Sequence, residues 1–132
     1  MNKNEFFSIL DDWNFWRRGL DTGIVREAYL ERFRDLSTSN QIITVTGPRR
    51  AGKSYLMRQM YVYMMSQGIK KDNLLFINFE DPRFTSLDTK LMEKIFSTYI
   101  EFMARRGEVT LFMDEVQEVV YCSPLTEWSF KL

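Results

Sequence analysis

The chain has no histidine and a single cysteine, Cys122, among its 132 residues. An internal disulfide is therefore excluded, and without an imidazole or a second thiol so is a zinc-type site of soft ligands. Neither charge is in excess: 18 lysines and arginines balance 18 acids, so no overall field marks DNA, RNA or an anionic membrane as the partner. Long apolar runs are missing too. The N-terminus reads Met1, Asn2, Lys3, Asn4, Glu5 and then aromatics broken by Asp11 and Asp12, with neither signal-peptide nor membrane-span character. A cytoplasmic protein without membrane contact is the expectation. No internal repeat and no low-complexity linker interrupts the chain.

What remains is 45% apolar and 15% aromatic, enough for one domain with its own core. From Phe6 to Trp16, apolar residues recur at steps of three and four, predicting a short amphipathic helix that ends near Gly19. A second helix is expected to start at Asp21 or Thr22 and to bury Val25, Tyr29, Phe33 and Leu36. Gln41 to Thr46 is a β-branched run stopped by Gly47 and Pro48, as befits a buried strand. Leu56, Met57, Met60, Tyr63 and Met64 then share one helical face, with Gly68 as a left-handed stop.

Leu74 to Phe79 is almost continuously apolar, the pattern of a strand covered on both faces, and Asp81 and Pro82 close it. Leu87, Leu91, Ile95, Tyr99 and Phe102 predict another helix, with Arg105 and Arg106 near its C-terminal dipole before Gly107. Val109 to Met113 reads as a third strand. Strands alternating with helices predict an α/β fold with a parallel sheet, preceded by a helical N-terminal segment. The cluster Trp13, Phe15, Trp16 reads as core packing, although an apolar patch there could also dock a partner.

Gly47, Pro48, Arg49, Arg50, Ala51, Gly52, Lys53, Ser54 matches G-x-x-x-x-G-K-[ST] and lies between a predicted strand and a predicted helix. The chemistry needs that placement. Glycines at 47 and 52 let backbone N–H groups approach phosphate oxygens, and the helix starting there points its positive end at the anion. Lys53 brings a point charge to the β- and γ-phosphates, and Ser54, followed by Tyr55, offers a hydroxyl to Mg²⁺. The competing reading is a chance glycine-rich turn. Arg49 and Arg50 stay open between phosphate steering, contact with a neighbouring subunit and simple solvation.

A P-loop also needs an acid at the tip of a neighbouring strand. Asp114 closes the third apolar run and suits magnesium through its water shell, while Glu115 is placed to activate the attacking water. The plainer alternative for this pair is a solvated loop or a helix cap. Asn78, ending the second strand, is expected to reach Glu115 as a switch, or else to be an ordinary strand-end amide.

Ile43 to Ser54 (ITVTGPRRAGKS), Phe76 to Phe84 (FINFEDPRF) and Leu111 to Val119 (LFMDEVQEV) together resemble a prokaryotic family of AAA-type P-loop ATPases, whose ATPase core is usually followed by a C-terminal domain of unknown function. The resemblance covers roughly residues 5 to 119. It implies a three-layer parallel sheet, of which about three core strands are expected here, and ATP rather than GTP as the nucleotide. By position it makes Gly47 to Ser54 the Walker A loop, and Asp114 with Glu115 the Walker B pair. It also implies that the region from Asp21 to Arg34, with Ile24, Val25 and Arg26, lies near the adenine. The expected division is 1–36 as a helical segment, 37–119 as a partial ATPase core and 120–132 as an atypical tail.

Val120 to Leu132 (VYCSPLTEWSFKL) departs from the family pattern, which continues through two more strands, a polar sensor, an arginine for the neighbouring subunit and a second domain. A truncated product is therefore expected, with unpaired strand edges and slow or absent turnover. Three functions follow: an ATP-binding and hydrolysing module, a non-catalytic nucleotide-binding or interaction fragment, and a small-molecule kinase, which the Asp114-Glu115 pair disfavours. Partners stay open between a homo-oligomer and another protein, with nucleic acid open as well although charge does not indicate it.

Overall fold

Leu74, Leu75, Phe76 and Ile77 are all buried, and four such residues in a row have no stable home except between two apolar layers. They form β1 (Leu74–Asn78), which pairs in parallel with β2 (Thr110–Asp114) in a register that sets Asn78 opposite Asp114. A computed structural model describes residues 2–37, 52–103 and 108–115 of the chain. Around the two strands stand α1 (Lys3–Trp13), α2 (Glu27–Ser37), α3 (Lys53–Ser66) and α4 (Thr89–Phe102), with a 3-10 turn at Lys71–Asn73 leading into β1. The strand predicted at Gln41 to Thr46 lies outside the described residues, as do Arg105, Arg106 and Gly107.

Successive side chains of a strand point to opposite faces, and the core divides accordingly. Leu75, Ile77 and Met113 pack with Phe6, Ile9 and Leu10 of α1 and with Leu91, Ile95 and Tyr99 of α4. Leu74, Phe76 and Phe112 pack on the other side with Leu56, Met57, Met60 and Tyr61 of α3 and Phe33 of α2. Helices therefore cover both faces, as the unbroken apolar runs predicted. Trp13, partly buried, touches both clusters, and Phe15 and Trp16 are buried, so the aromatic cluster belongs to the core.

Local signals explain most helix ends. Asn2 and Glu5 form a capping box, each side chain bonded to the other's backbone N–H at 2.9 Å. Asp88 caps α4 by accepting from Leu91 N–H at 3.0 Å. At the end of α3, Gly68 takes φ +93° while its N–H reaches Met65 O and the N–H of Ile69 reaches Met64 O, a Schellman closure.

Two predicted helices need correction. The first stops at Trp13 instead of continuing through Trp16, because Asn14 turns extended and gives its side chain to the sheet. The second starts at Glu27, leaving Val25 outside it, and Val25, Tyr29 and Leu36 are exposed. Its packing partner is α3, which covers only the narrow stripe of Leu30 and Phe33. Asp21 does not cap that helix; it forms a turn of its own by accepting from Gly23 N–H at 2.9 Å. Likewise Phe102, predicted on the inner face of α4, is exposed.

Candidate functional site

The site is assembled where α3 begins and β2 ends. Gly52 stands at the N-cap of α3 with φ +83°, a conformation that glycine reaches without strain. No side chain caps this end, and the first turn holds no acid. Lys53 opens the helix instead, against the preference of the helix dipole for anions at this end. A local rule broken in this way is expected at a functional site, and a bound polyanion would reverse the sign of the penalty.

In the first turn of α3, the Ser54 hydroxyl donates to Oδ2 of Asp114, joining residues 60 apart in sequence. Asp114 is the last residue of β2 and is buried at 6% exposure. That burial, together with the neighbouring Glu115 charge, raises its pKa, while the Ser54 hydrogen bond and the Lys53 charge pull the other way. Next to it Glu115 has φ +57°, an uncommon conformation for a residue with a Cβ. The sharp turn out of β2 puts Glu115 into a cleft of about 520 Å³, lined also by Arg26, Gly52, Lys53, Ser54, Tyr55 and Glu80.

Gly52, Lys53, Ser54, Tyr55 and Glu115 therefore share one cleft, with Asp114 directly behind Ser54. Gly47, Pro48, Arg49, Arg50 and Ala51 lie outside the described residues. Asn78 ends β1 level with Asp114, and its amide oxygen accepts from the N–H of Glu80 at 2.9 Å. Of the three residues placed by resemblance near the adenine, Arg26 lines the cleft together with Lys53 and Ser54, whereas Ile24 is 91% exposed and Val25 is exposed too.

Residues 39–128 match the AAA domain family, and the matched range includes most of the chain. The chain belongs to the AAA domain family. The match takes in the glycine-rich loop, Lys53, Ser54, Asp114 and Glu115, and it runs on into the segment after Val119. An uncharacterized protein of Haemophilus influenzae is 40% identical over 57 residues, which is 43% of this chain and 14% of that protein. The aligned stretch is thus a small part of a much longer relative. No solved structure matches the chain.

Two residues at the AAA site were not foreseen. Glu80 follows β1 by two positions, and the crevice beyond strand C-terminal ends is where open α/β sheets bind ligands, a usable signal. Gln59 is buried among the apolar residues of α3. An amide between Met57 and Met60 marks it in the sequence, but its partners come from the segment before α2.

Among the described residues no three His, Cys, Asp or Glu side chains gather as a metal cluster. Magnesium does not require one, since it keeps several waters and takes one or two protein oxygens together with phosphates. Ser54 Oγ and the Asp114 carboxylate are hard oxygen donors already in contact, so the donor set fits that ion. No helix among the described residues is long and apolar enough to cross a membrane.

Proposed function

We propose that this AAA domain binds Mg-ATP at the N-terminus of α3 and, as in the intact family, hydrolyses it to ADP and phosphate. The observation that carries the reading is the Ser54–Asp114 hydrogen bond beside Lys53, which brings a P-loop serine and a strand-end carboxylate to one point. The reading extends to a three-layer AAA-type sheet with 41–46 as a further strand, to residues 1–36 as its helical front and to 37–119 as the ATPase core.

Ser54 and Asp114 would hold Mg²⁺, which supplies charge neutralisation on the phosphate oxygens. Lys53 adds a second positive charge at the β- and γ-phosphates, and the loop's backbone N–H groups hold the chain of phosphates in line. Glu115, turned into the cleft, orients water and takes its proton as the oxygen attacks the γ-phosphorus. Asn78, level with Asp114, would restrain Glu115 until a partner engages.

Phosphate release from ATP tests the proposal. Glu115→Gln should slow release by about 10²–10⁴-fold, the usual worth of a general base, while nucleotide binding persists. In the same assay Asn78→Ala should change basal or partner-stimulated release. Equal release by wild type, Glu115→Gln and Lys53→Ala would leave a non-catalytic binding module as the better reading, and an unchanged Asn78→Ala would remove the switch.

A further inference from the structure

The segment between α1 and α2 lies along the first two turns of α3, and polar contacts hold it there. Gln59 is 4% exposed, and its amide is nearly saturated. Nε2 donates to Thr22 O and to Ile24 O, each at 2.8 Å, and Oε1 accepts the N–H of Arg26 at 3.1 Å. Arg58, one residue earlier, donates from Nη1 to Asp21 O at 2.9 Å. Gly23, at φ +65°, lies flat on the Tyr55 ring, where a Cβ would come within 3.2 Å of Cδ1. The Tyr55 ring in turn carries the Arg58 guanidinium at 5.6 Å.

Apolar burial does not hold the segment, since Ile24 and Val25 are exposed. Its path ends at Arg26, whose guanidinium lies so close to Gly52 that a Cβ on that glycine would collide with it. Arg26 thus faces the cleft beside Lys53 and Ser54, at the end of α3 that favours anions. A guanidinium presents a planar fork of donors that matches phosphate oxygens in pairs.

We propose that Gln59 is a positioning residue of this site: it latches residues 22–26 to α3 and so sets Arg26 to donate to the phosphates of the bound nucleotide. The proposal rests on the nucleotide-binding reading above. Arg26 acts on the ligand directly, whereas Gln59 acts through Arg26. The two must therefore be coupled, and a residue that merely packs the core would not be.

The test is titration of the full chain with a fluorescent ribose-labelled ATP and Mg²⁺, alongside hydrogen exchange at the Arg26 amide. Arg26→Ala and Gln59→Met should each weaken binding by about tenfold, the worth of a charge-assisted hydrogen bond. The double variant should bind no more weakly than Arg26→Ala alone. Gln59→Met should also speed exchange at the Arg26 amide. If Gln59→Met does not fold, Gln59→Asn retains the amide but pulls it back by one methylene, and the same losses are expected of it.

Wild-type affinity in a folded Gln59 variant whose Arg26 amide exchanges freely would overturn the proposal, as would wild-type affinity in Arg26→Ala or simple additivity in the double variant. Lys53→Ala separates the two levels. If it abolishes binding while the Arg26 and Gln59 variants bind normally, only the latch is wrong. If wild type does not bind, or Lys53→Ala binds equally well, the nucleotide reading fails and the latch fails with it.

Discussion

Gly52 is confined by two independent facts: its φ of +83° and the Arg26 guanidinium packed against it. Ala at this position would incur left-handed strain and push Arg26 out of the cleft, so Gly52→Ala should bind nucleotide at least about tenfold more weakly. The chain should stay folded, losing only about 1 kcal/mol of stability. Fluorescence titration together with thermal melting would check both parts. That Lys53, Ser54 and Asp114 would come together was legible in the sequence, because linear spacing sets a glycine-rich turn before a helix and an acid at a strand end. Arg26 and Gln59 could not be read in the same way. Their partnership depends on which side of α3 meets a loop more than 30 residues upstream, and periodicity carries no such information.

Edge strands present unpaired N–H and C=O groups, and β1 closes its outer edge with side chains. Asn14, fully buried, accepts from Phe76 N–H at 2.7 Å and donates to Phe76 O at 3.0 Å, standing in for a neighbouring strand. Leu74 O, on the same edge, accepts from Trp16 Nε1 and from the Tyr61 hydroxyl, each at 3.1 Å. Asn14→Leu keeps the branched outline but strands both Phe76 groups, and should cost about 2–4 kcal/mol in urea denaturation. The early end of α1 has the same cause. Helical periodicity continues to Trp16, but the need to satisfy buried strand groups outweighs it, and only the folded sheet reveals that need.

The turn after β1 is pinned to α1 in a related way. Asp81 accepts from Trp13 Nε1 and from Arg83 Nη2, both at 2.7 Å, and Arg83 also reaches Asp12. Hydrogen bonds from Arg83 first, then from Trp13, hold the Asp81 carboxyl down at about 2 against the opposing effect of burial. Because the folded value lies below the unfolded one, the contribution is complete above about pH 4 and drains away as pH falls toward 2. Asp81→Asn should therefore cost about 2 kcal/mol near neutral pH and little at the acid end, as measured by denaturation at both.

At the scale of the molecule, the order of strands and helices was legible among the described residues because unbroken apolar runs are what doubly covered strands require, and helices do lie on both faces of β1 and β2. The exposure of α2 was not legible. Val25, Tyr29 and Leu36 fit a helical stripe, yet a helix buries only what a neighbour covers, and α3 covers little of it. The cleft draws on four parts of the chain: the segment before α2, the start of α3, the turn after β1 and the end of β2. A ligand held by all four should tie them together and raise the unfolding temperature as its concentration passes Kd.

Calorimetric titration of Mg-ATP into wild type and Lys53→Ala tests that account most directly. Saturable one-to-one binding by wild type, weakened at least about tenfold in Lys53→Ala, is the predicted result. Equal binding by the two proteins, or none by wild type, would contradict it.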